Sequence, residues 1–123
     1  MQDTLNFIRE CKNFFFSTVQ DGAPVSRPFG AIMLREGKFY FTTGRGGNVY
    51  AQITKNPSVC ITSLLYNTRR WVRILGEARE QTEEALKIKM IEENPILEKR
   101  YSSYKDEKLV LIEVEPKKID KNF

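Results

Sequence analysis

Histidine is absent from these 123 residues, and cysteine occurs only twice. Without an imidazole there is no Ser-His-Asp or Cys-His nucleophile system, and two thiols cannot furnish a zinc site that needs four Cys or His ligands. No run approaches the roughly 18 apolar residues of a membrane helix. The opening residues, with Asp3, Arg9 and Glu10 among the first ten, lack a signal-peptide profile. The expectation is a cytoplasmic protein that does not enter the membrane. Cys11 and Cys60 stand far apart, outside any CxxC spacing, and read as small hydrophobes rather than a disulfide. Chemistry must then be supplied by a bound organic group.

What is present is enough for one globular domain over residues 1–123: 41% hydrophobic and 29% charged residues support a single modest core. Charge is uneven. Residues 27–79 hold nine Lys/Arg against two acids, a net +7, and the remainder carries −3. A basic middle third fits an anionic ligand, although a solvated basic surface explains the same numbers.

Leu5, Ile8 and Cys11 recur at three-residue spacing behind Asp3, which predicts a short amphipathic helix lying as a lid on a barrel end. Phe14 to Val19 is aromatic and β-branched, and Asp21-Gly22 supplies a tight turn into a second strand over Pro24 to Leu34. Glu36-Gly37 repeats the device before a third strand, Lys38 to Thr43. A glycine loop, Gly44 to Gly47, then leads into a short helix from Asn48 to about Thr54. Ser58 to Leu65 and Trp71 to Glu80 read as a strand pair, with Val72, Ile74, Gly76 and Ala78 on one side and Trp71 and Arg73 on the other. A helix through about Glu93, a further helical turn from Pro95, and a last strand over Lys108 to Val114 complete the order. The fold class is mainly β with small helices, expected as a six-stranded antiparallel split β-barrel. A Rossmann fold is rejected, because Gly44, Gly46 and Gly47 lack the GxGxxG spacing within a βαβ unit.

Three constellations could carry chemistry. Pro28 and Gly30, beside Arg27 and Phe29, interrupt a strand-like run, leaving backbone where a ligand approaches or forming a plain bulge at a barrel corner. Thr42, Thr43, Arg45, Gly46, Gly47 and Asn48 combine hydroxyls, glycine amides, a guanidinium and a helix start, the components of a phosphate grip; an ordinary strand-to-helix loop uses them too. Trp71 and Arg73 share a strand face that could stack on a flat heterocycle or form a dimer seam.

In order and spacing, several segments resemble the small pyridoxamine 5′-phosphate oxidase-like flavoproteins: Arg27-Pro28-Phe29-Gly30, Gly37 to Thr43, Asn48 to Ile53 with Asn56-Pro57, Trp71 to Ala78, and Asn94-Pro95 with Tyr101-Ser102. The resemblance is strongest to the nitroimidazole-resistance subgroup and covers nearly the whole chain. It implies an FMN-binding split barrel and a homodimer with FMN in two equivalent sites at the subunit interface. Carried over by position, Arg27, Pro28, Phe29 and Gly30 would lie along the isoalloxazine. Thr42, Thr43 and the loop through Arg45, Gly46, Gly47 and Asn48 would take the phosphate. Gln52, with Trp71 and Arg73 from the partner subunit, would complete the site.

Many relatives place a lysine just before the short helix; here Gly47 stands there, so Arg45 is the loop's cation. The C-terminal Arg-x-His element used by true pyridoxamine phosphate oxidases is missing, so that reaction is not expected. The resemblance implies instead flavin hydride transfer from a reduced nicotinamide to a small acceptor: a nitro compound, quinone or free flavin. Two alternatives stay open. One is a flavin-binding protein without turnover. The other is a barrel that binds single-stranded nucleic acid through Tyr66, Arg69, Arg70, Trp71 and Arg73.

Overall fold

The computed structural model describes residues 1–123. Helix α1 (Gln2–Cys11) precedes strands β1 (Phe14–Gln20), β2 (Ala23–Phe29), β3 (Met33–Arg35) and β4 (Lys38–Gly44). Helix α2 (Asn48–Lys55), strands β5 (Ser58–Leu64) and β6 (Trp71–Gln81), helix α3 (Glu84–Glu93), a 3₁₀ turn (Pro95–Lys99) and strand β7 (Leu109–Asn122) follow.

All seven strands form one antiparallel sheet in the order β2-β1-β5-β6-β7-β4-β3. This corrects the expected six-stranded barrel in both count and closure. The run from Pro24 to Leu34 is two strands, because the chain leaves β2 after Phe29 and enters β3 only at Met33. β2 pairs only with β1, and β3 only with β4, so these consecutive strands are the two edges of an unclosed ladder. Side chains bring the ends together where hydrogen bonds do not. Phe41 on β4 packs on Phe16 of β1 at 4.4 Å and on Phe29 of β2 at 5.0 Å between ring centroids. The sheet thus curls around a core in which Phe14, Phe16, Ile61, Val72, Ile74, Val110 and Ile112 are all fully buried.

Local chemistry explains the elements. Asp21-Gly22 and Glu36-Gly37 sit at φ values of 51° and 80°, and 49° and 77°, the left-handed pair that a two-residue hairpin turn demands. α1 buries Leu5, Phe7 and Ile8 against the core, and Phe7 stacks on Phe123 at 4.3 Å, tying the two termini together. Strand β7 runs eight residues beyond the expected Val114, through Pro116, pairing its second half with Trp71–Leu75. A register shift between Leu75 and Gly76 places Gly76 opposite Pro116.

A second, smaller cluster forms on the outer face of β4 and β7, where Met33, Tyr40 and Leu111 pack under Met90 of α3 and Leu97 of the 3₁₀ turn. With both faces covered, Leu109 to Val114 are all buried, including the carboxylate of Glu113. No helix is long and apolar enough to cross a membrane.

Candidate functional site

Arg27 projects from the edge strand β2 toward β1 and α2. Its Nη1 donates to Thr18 Oγ1 at 2.9 Å and to the main-chain oxygens of Phe16 and Val25 at 3.2 and 3.3 Å. Its Nη2 donates to Gln52 Oε1 at 2.8 Å. Gln52 is buried and held at both ends of its amide: Thr18 Oγ1 donates to its oxygen, and its Nε2 donates to Gln20 Oε1 at 3.1 Å. Every acceptor around this guanidinium is neutral, and no carboxylate pairs with it. Burial pushes the Arg27 pKa down, the signature of a cation that has lost water without gaining a counter-ion. An arriving anion would relieve that cost.

Next to this group, Gln20, Asn48, Gln52 and Lys55 line a cavity of about 210 Å³ between the β1–β2 hairpin and α2. Helix α2 begins at Gly47 with no side-chain cap, so its first-turn N–H groups have no intrahelical acceptor. β4 delivers Thr42 and Thr43, both buried and laddered to Leu111 and Val110, to the start of the same loop. A Cβ at Gly46 would meet nothing, so the loop is open at that point.

Arg45 is turned elsewhere. Its Nη2 lies 3.0 Å from Glu80 Oε2, its Nε donates to the Glu107 carbonyl at 2.9 Å, and its guanidinium lies over the Tyr50 ring at 5.6 Å. Tyr50 Oη donates to the other Glu80 oxygen at 2.9 Å. Burial raises the Glu80 carboxyl, but the bonds from Arg45 and Tyr50 outweigh it and leave the group below its ordinary range. The loop's guanidinium is therefore neutralised within the chain, and a bound dianion would compete with Glu80 for it.

Pro28, Phe29 and Gly30 line a separate groove of about 490 Å³ at the other end of β2, facing Asn94, Ile96 and Arg100. Trp71 and Arg73 lie on the outward face of β6. There Arg73 pairs with Asp120 at 3.0 Å and sits 5.6 Å from the Trp71 ring centroid. Beside them Phe15 (54% exposed), Leu64 (57%) and Leu75 (40%) leave an apolar face open.

Within one chain the structure thus joins Arg27 to Gln52, and Gly46, Gly47 and Asn48 to the neighbouring helix start. Trp71 and Arg73 do not join them. Thr18, Gln20, Tyr50 and Glu80 were not anticipated from the sequence. Thr18 carried a signal, because it follows Phe14 and Phe16 on one strand face, and a hydroxyl on an apolar stripe needs a buried partner.

A profile of the family described as Pyridoxamine 5′-phosphate oxidase matches residues 2–123. Among solved structures, a NimC/NimA family protein from Clostridium acetobutylicum is similar, with a TM-score of 0.85 and 29% identity over 93% of this chain and 78% of that one. General stress protein 26 from Bacillus anthracis superposes with a TM-score of 0.82 at 22% identity, covering 96% of this chain and 89% of that one. An F420 reductase gives a TM-score of 0.71 at 19% identity over 95% of each chain. No curated protein sequence matches the chain.

Proposed function

The chain belongs to the pyridoxamine 5′-phosphate oxidase family, and we propose that within it this protein is a cytoplasmic, FMN-binding oxidoreductase that works as a homodimer. The observation that carries the reading is Arg27: a partly desolvated guanidinium without a carboxylate, fixed by Thr18 and by Gln52 of α2, whose Gly47 start has no side-chain cap. That combination fits a phosphate dianion, which would accept charge-assisted hydrogen bonds from both.

In this reading Arg27, which the resemblance alone would set along the isoalloxazine, is reassigned by its bond to Gln52, and with Gln52 and the loop of Thr42, Thr43, Gly46, Gly47 and Asn48 holds the ribityl phosphate end. Arg45 contributes after exchanging Glu80 for the phosphate. Pro28, Phe29 and Gly30 lie along the ring. Bound FMN would supply two-electron chemistry, taking a hydride from a reduced nicotinamide and passing two electrons to a small acceptor such as a nitro compound, quinone or flavin. The chain's own part is to orient the coenzyme and keep water from the reacting face. It needs no histidine for this, because a hydride moves without a general base.

The open apolar face of Phe15, Leu64, Trp71 and Leu75 supports the dimer, with a second copy as its cover. Trp71 and Arg73 of one copy would then close the site of the other. The nucleic-acid reading draws less support, because Asp120 neutralises Arg73 and the Arg70 guanidinium lies 5.4 Å from the Phe7 ring. The choice of FMN over a deazaflavin is our assignment, since the likeness to the F420 reductase speaks for the fold alone.

Quenching of FMN fluorescence on addition of protein tests the reading. We expect saturable binding that Arg27→Met weakens ten- to a hundredfold, the value of a hydrogen bond to a charged group, about 1.5–3 kcal/mol. Equal affinity in the variant would remove Arg27 from the site.

A further inference from the structure

The loop that leads into β7 forms a wall opposite α3. Asp106 accepts from the Ser102 and Lys108 amides at 3.0 and 2.9 Å, and the Tyr101 amide donates to the Leu97 carbonyl at 3.0 Å. These bonds fix the stretch that carries Tyr101 and Tyr104. Between it and α3 lies a hollow of about 360 Å³, a volume within the range of small-ligand sites. It shares no residue with the coenzyme site described above.

The hollow is apolar inside. Ile88 and Ile91 fall three apart on one face of α3 and both line it. Ile91 and Tyr101 also pack on the cluster beneath α3, whereas the half-buried Ile88 packs against neither core cluster. Its apolar surface is committed only here. The Tyr40 and Tyr50 hydroxyls each donate to a glutamate, but those of the half-buried Tyr101 and Tyr104 bond to nothing in the chain. What these two offer the hollow is ring surface.

Charge at the hollow has one sign. Glu92 and Glu98 line it, and no lysine or arginine does, in a chain whose net charge is +4. Glu98 enters no ion pair, and Glu92 reaches only the exposed Lys89, at 3.7 Å along the helix. An exposed pair of that kind neutralises little. Lys105 Nζ lies 5.7 Å from the Tyr104 ring centroid, but Lys105 lines the adjoining hollow and not this one. The ring thus already meets an ammonium from one side and has none on the side of Ile88 and Ile91.

We propose that this hollow binds a small organic ammonium ion with an apolar body. The body would rest on Ile88 and Ile91. The head would sit against the rings of Tyr101 and Tyr104, whose faces carry negative potential, with Glu92 and Glu98 supplying the opposite charge. A neutral molecule of the same shape keeps only the apolar contact, and an anion meets two carboxylates.

NMR titration of the full chain at neutral pH with three ligands of one body tests this: phenethylammonium, neutral phenethyl alcohol and anionic phenylacetate. The cation should shift the ring signals of Tyr101 and Tyr104 and bind at least about tenfold more tightly than the alcohol. Phenylacetate should leave those signals in place. The double variant Glu92→Gln/Glu98→Gln should weaken the cation at least about threefold while the alcohol stays within about twofold, and added salt should act in the same direction. Both glutamates are exposed, so the melting temperature should not move. Tyr104→Leu should weaken the cation at least about threefold, and Tyr104→Phe, which keeps the ring, should hold it within about twofold. Equal affinity for the cation and the alcohol, cation-induced shifts confined to residues outside the hollow, or undiminished cation binding in the glutamate double variant would each overturn the proposal.

Discussion

Arg27 Nη2 lies 2.8 Å from the buried Gln52 Oε1, and that neutral amide stands where a half-buried arginine would ordinarily meet a carboxylate. The contact joins an edge strand to the helix that follows the glycine loop. It also costs stability, because the guanidinium is partly desolvated with no charge to offset it.

Arg27→Met should therefore separate stability from binding. In the absence of FMN the variant should melt at or above the wild-type temperature, since a thioether fills the space without the desolvation cost. Differential scanning calorimetry with and without FMN checks this. A variant that melts well below wild type without FMN would mean that the neutral hydrogen bonds alone justify the arginine.

Glu80 and Arg45 offer the opposite manipulation. If Arg45 turns from Glu80 to a phosphate, Glu80→Gln should tighten FMN several-fold by freeing the guanidinium, and Arg45→Ala should weaken it by up to about a hundredfold. Fluorescence titration of the two variants reads both. Two unchanged affinities would take the Gly44–Gly47 loop out of phosphate binding.

Glu113 predicts an acid limit. It accepts from Tyr40 Oη at 2.9 Å, Arg79 Nε at 2.6 Å and Gln81 Nε2 at 2.9 Å, joining β4, β6 and β7. Burial raises its carboxyl, the three donors outweigh burial, and its pKa falls below the ordinary 4.5. A carboxylate with a depressed folded pKa stabilises the protein above its unfolded value and loses that contribution as pH drops through the folded one. Chemical denaturation should show stability falling below about pH 4.5, and Glu113→Gln should flatten that dependence while costing about 1–3 kcal/mol at neutral pH. An unaltered pH slope in the variant would assign the acid limit to other carboxylates.

Gly76→Ala should be severe for a local reason. A Cβ at Gly76 would clash with the Glu115 carbonyl oxygen, a main-chain atom that cannot step aside without shifting β7 at its bulge. We expect a loss of at least about 1–3 kcal/mol. Wild-type stability in urea would show that the bulge is pliable.

How much of this was legible depended on range. The two hairpins were, because Asp21-Gly22 and Glu36-Gly37 answer a purely local demand for positive φ. The second half of β7 was not. Pro116 and the lysines after it look like a polar tail, and only the pairing of Lys118–Asn122 with Trp71–Leu75 makes them a strand. The break between Phe29 and Met33 was half visible: Pro28 and Gly30 marked an irregularity, but not that it turns one strand into both edges of the sheet. At the site, the glycine loop was marked by its own composition, and Gln52 only by the family resemblance. The neutralisation of Arg45 did not, because Glu80 comes 35 residues later and reaches it only once β4, α2 and β6 are assembled.

The visible absorption spectrum of the purified protein, recorded after incubation with FMN and desalting, tests the central claim most directly. The account predicts a yellow protein with a perturbed flavin band and about one FMN per chain. A colourless protein that returns all of the FMN to the small-molecule fraction would contradict it.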